Sequence, residues 1–169
     1  MTVERHEESA VPVSELLEAA KNLLENGFNV LPVLPGKKMP GLPSWKRYQT
    51  EMVTNEELAT WFGPDTTYTG LWVVTGRISR LVVLDCDSAK AETFWQKLIG
   101  DQLDATTCVQ TARGRHYWFR TPSGPGLIKS WSVHKDGVHF DVLAEGKGVM
   151  APPSPHPSGE SYGWTRGYQ

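Results

Sequence analysis

Two carboxylates at the end of an apolar run are the residues of this sequence that are best suited to chemistry. Residues 81–84 have the apolar side chains of a buried strand, and Asp85 and Asp87 follow them. Because side chains alternate along a strand, both acids point to one face and repel each other unless a cation lies between them. Such carboxylates can hold two divalent cations about 3.5–4 Å apart, as in phosphate chemistry. A simpler interpretation is a strand that ends in solvated acids, with Asp87 or Ser88 capping the next helix.

A histidine and a third carboxylate lie in strands predicted further along the chain. His116 begins the second strand of a predicted hairpin, and Asp141 lies in a strand that follows the Asp136-Gly137 turn. If the apolar residues that alternate with them build the core, both side chains converge with the earlier acids on the solvent side of one sheet. Three carboxylates, a histidine and nearby arginines suit metal-assisted phosphoryl transfer. A lone histidine at the start of a strand, however, is more often a surface or half-buried residue.

The elements that must position these residues follow a mixed order, with helices early and antiparallel strands late. Helices are recognised by caps and an apolar stripe, and strands by short apolar runs between turn residues. This order favours an α+β domain built on a largely antiparallel sheet. The predicted elements are a helix capped by Ser14 and ended by Gly27, a strand over 28–34, a helix from the Thr54 capping box to Phe62, a strand over 71–75, a helix over 89–99, and the strand pairs 108–111 with 116–120 and 128–133 with 138–143.

Composition limits the class of protein. With 169 residues, 39% of them hydrophobic, the chain fits one domain with a core, and its net charge of -2 argues against binding nucleic acid through overall positive charge. Residues 31–50 hold four bases and no acids, and residues 110–150 hold six bases and three acids. These segments are rich in Gly, Pro and aromatic residues and could hold a phosphate-bearing ligand, although solvated loops would give part of the same pattern.

Cysteine content and hydropathy predict a soluble cytoplasmic protein without membrane association. Cys86 and Cys108 provide neither a disulfide framework nor a Cys/His cluster, so no zinc is expected. No apolar run approaches the length of a membrane span, and the acidic start lacks the charge pattern of a signal peptide.

A series of short motifs resembles the bifunctional DNA primase/polymerase domain of the archaeo-eukaryotic primase superfamily, which occurs in replication proteins of phages, plasmids and other mobile elements. The resemblance covers almost the whole chain. One Asp-x-Asp pair would be weak evidence, whereas five motifs in order are strong evidence. The motifs are Leu84-Asp85-Cys86-Asp87, the run Thr-Ala-Arg-Gly-Arg-His-Tyr-Trp-Phe over 111–119, Phe140-Asp141-Val142, the loop with Lys38-Met39-Pro40 and Trp45-Lys46, and the close over 149–154 with His156, Tyr162 and Trp164.

The resemblance implies a fold and a metal site. The fold would be a primase/polymerase catalytic core with a mostly antiparallel mixed sheet, an RRM-like unit, flanked by helices. Asp85, Asp87 and Asp141 would be catalytic residues that bind two Mg²⁺ or Mn²⁺ ions. One ion would lower the pKa of a primer 3′-hydroxyl, and the other would hold the triphosphate and stabilise the leaving pyrophosphate. His116 would hydrogen-bond the phosphates of the incoming nucleotide.

Further nucleotide contacts are expected from basic and polar residues near these motifs. Positive charge beside the triphosphate would stabilise the charge that develops on the leaving group. For two of the basic candidates, Arg115 and Lys147, a solvent-exposed charge on the hairpin explains the residue as well as a contact to phosphate does. The candidates are Arg113, Arg115 and Lys147, chosen for their charge, and Ser154, His156 and Lys38, which resemble family positions.

Two positions depart from the pattern of the superfamily. Gly114 lies two residues before the histidine, where many members have a small hydroxyl residue, although its backbone N–H could still face a phosphate. Leu143 lies two residues after the third carboxylate, where relatives often have an arginine. One expected phosphate or template contact is therefore open to question.

The resemblance implies a template-dependent nucleotidyltransferase, both DNA primase and DNA polymerase, that acts on a DNA template and primer with dNTP or NTP. Residues 1–169 would form a single catalytic domain in the N-terminal part of a longer replication protein. A helicase or helical-bundle domain would follow it, and the protein would work in the cytoplasm of a bacterial or archaeal host cell.

Two alternatives compete with this interpretation. A metal-dependent nucleotide-sugar glycosyltransferase would explain Asp85 and Asp87, but it gives His116 and the Pro-Pro-Ser close no role. A primase-like module of a replication initiator would bind template or origin DNA with weak or no synthesis, and the intact acids argue against it. Primer extension with Mn²⁺ distinguishes the three.

Overall fold

The computed structural model describes residues 11–122 and 127–166. Within these ranges no helix is long and apolar enough to cross a membrane. The elements in chain order are α1 (Val13–Glu25), β1 (Asn29–Val33), a 3₁₀ turn (Lys46–Gln49), α2 (Asn55–Trp61), β2 (Gly70–Val74), β3 (Leu81–Cys86), α3 (Ala89–Ile99), α4 (Asp101–Ala105), β4 (Thr107–Gln110), β5 (Arg115–Arg120), β6 (Trp131–Lys135), β7 (Val138–Leu143), β8 (Gly148–Ala151) and β9 (Gly163–Arg166).

The strands form two sheets, in which each pairing between named strands is antiparallel. The smaller sheet has the order β1-β2-β8, and the larger has the order β6-β7-β3-β5-β4-β9. This architecture confirms the predicted α+β class. The closing segment, for which no strand was predicted, supplies one edge strand to each sheet, β8 and β9.

The larger sheet contains the expected RRM-like unit. Strands β3 and β4 are connected through α3, and β5 lies between them, which is a split β-α-β arrangement. Strand β7 then pairs with the free side of β3, so β3 has a neighbour on both sides. The residues of β3 are therefore held by a hydrogen-bonded strand on each side.

Side-chain capping bonds mark the starts of two helices, α2 and α3. The Thr54 side chain accepts a hydrogen bond from the Glu57 backbone N–H and forms the predicted capping box of α2. The Ser88 hydroxyl accepts one from the Ala91 backbone N–H and caps α3. Ser88 therefore caps this helix and Asp87 does not. The prediction of Ser14 as a cap is wrong, because α1 begins at Val13 without a side-chain capping bond.

Both faces of the larger sheet are packed against other elements at β3, β4 and β5, whereas its edge strand β6 is largely exposed. Leu81, Val83 and Trp118 pack toward the smaller sheet, α1 and α2 in one core cluster. Leu84 and Tyr117, on the opposite face, belong to a second cluster with residues of α3 and α4. The expectation that one face would be open to solvent is therefore wrong, because the smaller sheet covers it. Side chains at the end of β3 on that face lie in a cleft between the sheets.

A close approach at Gly114 fixes the distance between β3 and the turn before β5. A Cβ atom on Gly114 would lie 1.8 Å from the carbonyl oxygen of Cys86. The Gly114 N–H donates to the Thr111 hydroxyl at 3.0 Å, so it does not face a phosphate as expected. The absence of a hydroxyl side chain at this position has a steric cause, since β3 leaves no room for one.

We predict that Gly114→Ala destabilises the fold. The added methyl group must push the turn away from β3, and overpacking of this kind costs about 1–3 kcal/mol in the free energy of unfolding. Urea denaturation followed by circular dichroism measures this loss. Gly163→Ala is the matched control, because a Cβ atom at Gly163 has no neighbour within 4 Å. Equal stability of the two variants would contradict the steric explanation.

Candidate active site

The register of three neighbouring strands brings the predicted catalytic residues together. Asp85 on β3 lies directly opposite Asp141 on β7 and directly opposite His116 on β5. Paired residues point to the same face of a sheet, so all three side chains lie on the face that looks toward the smaller sheet. Asp87 follows the end of β3, and its backbone N–H donates to the carbonyl of His139 at 3.0 Å.

The three carboxylates form a group that can hold a metal ion. One oxygen from each of Asp85, Asp87 and Asp141 lies within 4.8 Å of the others. Asp85 Oδ1 is buried and makes no well-formed hydrogen bond among the described residues, although His116 Nε2 lies 3.3 Å from it. Oxygen donors of this type suit hard divalent cations such as Mg²⁺ and Mn²⁺. A buried acceptor whose one close polar neighbour is poorly aligned, beside two further acids, fits a cation better than it fits a purely structural cluster.

Electrostatic repulsion within the group is visible at Asp87. Burial raises the pKa of its carboxyl group above the ordinary value, and the negative charges of Asp85 and Asp141 raise it further. The charges of His116 and Lys38 oppose these effects without cancelling them. The site therefore has an excess of negative charge that a bound cation would relieve.

His116 is a buried histidine with an unsatisfied ring nitrogen. Only 5% of the residue is exposed, and its Nε2 lies 3.3 Å from Asp85 Oδ1. Its Nδ1 has no hydrogen-bond partner among the described residues. The ring packs against Tyr162, with 5.9 Å between the ring centroids. A ring nitrogen in this state suits a hydrogen bond to a bound ligand.

A cavity of about 260 Å³ lies in front of these residues, between the two sheets. The larger sheet and its turns contribute acids, a histidine and an arginine, whereas the smaller sheet contributes mostly apolar groups. The lining residues are Lys38, Trp72, Asp85, Asp87, Thr111, Arg113, His116, Leu143, Gly148, Val149, Met150, His156 and Tyr162. One side of the cavity can thus hold charged groups while the other contacts apolar ones.

Three of the six candidate nucleotide residues lie at this cavity. Lys38, Arg113 and His156 line it from three different loops. Burial lowers the pKa of His156, and the charges of Lys38 and Arg113 lower it further, so its imidazole is neutral at pH 7. The ring is held by Ser158, whose hydroxyl lies 2.6 Å from Nδ1. Positive charge at the cavity therefore comes from Lys38 and Arg113.

The other three candidates lie elsewhere. Arg115 is on the opposite face of β5, where its Nη1 donates to Glu92 on α3 at 2.9 Å. Ser154 is fully buried and connects the closing loop to β2, since its Oγ accepts from the Leu71 backbone N–H at 2.7 Å. Lys147 is exposed and does not line the cavity, although its charge contributes to lowering the pKa of Asp141.

Sequence reasoning missed several residues at the site. No motif in the sequence marks His134, yet its Nε2 lies 3.0 Å from Asp141 Oδ1. The Asp136-Gly137 turn could have indicated this contact from the sequence. A two-residue turn fixes the register of the hairpin and places His134 diagonally across from Asp141. No comparable local pattern marked Trp72, which belongs to the other sheet.

Tyr162 also faces the acids from the closing segment. Burial raises the pKa of its hydroxyl to about 12, with a further contribution from the charges of Asp85 and Asp87. The hydroxyl therefore stays protonated and can act only as a neutral hydrogen-bonding group. Leu143, at the position where an arginine was expected, lines the cavity with an apolar side chain.

The acids, the histidine and the cavity form a candidate metal site of the type used in phosphoryl transfer, on an α+β fold with an RRM-like unit. The sequence matches the family described as bifunctional DNA primase/polymerase, N-terminal, over residues 20–168, and the chain belongs to this family. A comparison with curated proteins gave no significant match. Family membership places the chain among nucleotidyltransferases of the primase-polymerase type, which use DNA and nucleotides and generally depend on divalent metals.

We predict that Asp87→Asn raises the melting temperature of the metal-free protein at pH 7. Because the pKa of Asp87 is raised in the fold, its ionised form destabilises the folded state. This penalty grows as the pH rises from the ordinary value of 3.8 through the raised pKa, and it is fully present at pH 7. Differential scanning fluorimetry in EDTA measures the difference, which disappears below about pH 3.8.

Added Mn²⁺ provides the second half of this test. It should stabilise the wild-type protein more than the Asp87→Asn variant, because the variant has lost one ligand. Asp65→Asn removes an exposed acid outside the cavity and serves as the control. If this control behaved like Asp87→Asn in both conditions, the effect would be one of overall charge and not of the acidic group.

Proposed function

We propose that this protein is a template-dependent DNA primase and DNA polymerase that joins a dNTP or NTP to a primer 3′-hydroxyl on a DNA template. The observation that carries the proposal is the register that aligns Asp141, Asp85 and His116 across β7, β3 and β5, with Asp87 beside them. Replication of a phage, plasmid or other mobile element is the setting that we propose for this activity.

Asp85, Asp87 and Asp141 are the proposed ligands of two Mg²⁺ or Mn²⁺ ions. When bound, such ions activate the attacking hydroxyl and neutralise the charge that develops on the leaving pyrophosphate. The chain holds the three carboxylates in place before the ions bind: Asp85 and Asp141 lie on paired strands, and Asp87 follows the end of β3. Little reorganisation of the site is therefore needed when the ions bind. Asp85 is the central ligand in this arrangement because Asp141 and His116 lie directly opposite it on its two neighbouring strands.

His116, Arg113 and Lys38 are the proposed contacts to the triphosphate. In the reaction, the 3′-oxygen forms a bond to the α-phosphorus while the bond from that phosphorus to pyrophosphate breaks. The His116 ring nitrogen that lacks a partner can hydrogen-bond a phosphate oxygen, and the charges of Arg113 and Lys38 suit the leaving group. His156 is neutral and would contribute a hydrogen bond without charge.

Arg115, Ser154 and Lys147 are not included among these contacts. The guanidinium of Arg115 is paired with Glu92 behind the sheet, and the Ser154 hydroxyl is used by backbone groups. Lys147 is near enough to influence Asp141 electrostatically, so its proposed role is to attract nucleotide or DNA and not to contact the reacting phosphates.

The apolar side of the cavity is the proposed location of the base and sugar. Trp72 and Met150 from the smaller sheet face Leu143 and Tyr162 from the larger sheet and the closing segment. Aromatic and aliphatic groups of this kind suit stacking on a base, which tolerates differences in sequence. A template-directed enzyme needs such tolerance, because base pairing selects the nucleotide.

The alternatives identified from the sequence have less support. Membership in the primase/polymerase family removes the basis for a glycosyltransferase, which rested on the Asp-x-Asp motif alone. A DNA-binding module without synthesis would need neither aligned acids nor a buried histidine with a free ring nitrogen. We also propose that residues 1–169 act as one catalytic domain of a longer replication protein in a bacterial or archaeal cytoplasm, followed by a helicase or helical-bundle domain.

Primer extension tests the proposed function. We expect the protein to extend a labelled primer on a DNA template when dNTPs and Mn²⁺ or Mg²⁺ are present. Asp85→Asn should lower the rate at least about 100-fold, because it weakens metal binding that supplies several kcal/mol of transition-state stabilisation. Single-turnover gel analysis of the extended products measures both rates.

Arg115→Ala is the matched control for this assay. Arg115 lies one residue from His116, but its side chain is on the other face of the sheet. We expect its extension rate to stay within about threefold of the wild-type rate, as for a surface ion pair. DNA binding without extension, unchanged in Asp85→Asn, would instead support the non-catalytic module.

A further inference from the structure

A serine and a histidine on the edge strand β6 contact the third carboxylate of the site. His134 Nε2 lies 3.0 Å from Asp141 Oδ1, and Ser132 lies directly opposite Asp141 in the ladder, so that its side chain is on the same face. Asp141 thus has side-chain partners on β6, on the side away from Asp85. Neither His134 nor Ser132 lines the cavity.

The local sequence determines this arrangement. Asp136 and Gly137 both have positive φ angles, 54° and 79°, as a two-residue hairpin turn of type I′ requires. The resulting register pairs Ser132 with Asp141 and His134 with His139. Side chains two residues apart on a strand share a face, so Ser132 and His134 lie on the same face as Asp141.

The three carboxylates therefore differ in their surroundings before any cation binds. Asp141 Oδ1 lies 3.0 Å from His134 Nε2 on the edge strand β6, whereas the histidine beside Asp85 is His116 on β5. A carboxylate that accepts a hydrogen bond through one oxygen is held in a fixed orientation, and its other lone pairs remain available to a metal.

We infer that His134, assisted by Ser132, is a positioning residue that holds the Asp141 carboxylate ready to ligate the divalent cation. The inference rests on the proposed function, because it assigns Asp141 to the metal. His134 acts through Asp141 and contacts neither nucleotide nor DNA. Its contribution is to metal affinity, since the orientation of a ligand matters most while the site is being filled.

A purely structural role for His134 is disfavoured by its surroundings. Its side chain is 51% exposed and belongs to no core cluster of the described residues. Its other described ring contact is with His139, at 5.5 Å between centroids. Removal of this imidazole should therefore leave the sheet intact, and an effect on metal binding can be separated from an effect on folding.

The test compares His134→Ala, His134→Gln and His139→Ala with the wild-type protein. Mn²⁺ is titrated into each protein without nucleotide, and free Mn²⁺ is measured by electron paramagnetic resonance. We expect His134→Ala to raise the dissociation constant for Mn²⁺ about 10-fold or more, within the range found for partners of metal ligands. His134→Gln keeps an N–H donor at the same reach and should stay within about threefold of wild type.

His139→Ala is the matched control, because His139 is the cross-strand partner of His134 and its side chain has no described contact with an acid of the site. It should bind Mn²⁺ like the wild-type protein. In primer extension, His134→Ala should raise the Mn²⁺ concentration needed for half-maximal rate, while the rate at saturating Mn²⁺ stays within about threefold of wild type. A structural defect would lower both the saturated rate and the melting temperature.

Three results would overturn the inference. One is an unchanged Mn²⁺ affinity in His134→Ala. Another is a loss of Mn²⁺ affinity in His134→Gln and in His139→Ala that is as large as the loss in His134→Ala. A third is a nitrogen coupling to bound Mn²⁺ that disappears in His134→Ala, which would make His134 a ligand and not a positioning residue. Failure of the proposed function has a different signature, since the wild-type protein itself would then neither bind Mn²⁺ nor extend a primer.

Discussion

Repulsion among three carboxylates is the constraint on which this structure depends. Oxygens of Asp85, Asp87 and Asp141 lie within 4.8 Å of one another, where like charges are unfavourable in a partly buried site. The backbone holds them there, because β3 is hydrogen-bonded to β5 on one side and to β7 on the other. The two strand pairings of β3 and the two core clusters stabilise the fold enough to keep the three carboxylates close together. Their closeness becomes favourable when a cation binds.

The remaining features of the site follow from this excess of negative charge. His116 meets Asp85 from one neighbouring strand, and His134 meets Asp141 from the hairpin on the other side. Lys38 and Arg113 approach from loops, so positive charge lies at the cavity and not among the ligands. The smaller sheet lies across the cavity from the acids and contributes apolar groups to it.

Local patterns in the sequence predicted the parts of the fold that depend on neighbouring residues. The helix over 89–99, the Thr54 capping box and the Asp136-Gly137 turn follow from capping and turn chemistry and agree with the structure. The second sheet was not predicted, because β2 ends at Val74 and its partner β8 begins only at Gly148, and nothing in either strand specifies its partner. Arg115 was a candidate nucleotide contact because of its charge, but charge alone does not tell which face of β5 a residue occupies. The alternation of side chains along the strand, counted from His116, indicates the opposite face.

The central claim is that the carboxylate group binds the divalent cations that support nucleotidyl transfer. The most direct measurement is a crystal structure with Mn²⁺ and a non-hydrolysable dNTP, in which manganese is located by its anomalous scattering. The account predicts two manganese peaks about 3.5–4 Å apart, ligated by Asp85, Asp87 and Asp141, with the triphosphate beside His116. Manganese bound elsewhere, or a nucleotide bound outside this cavity, would contradict it.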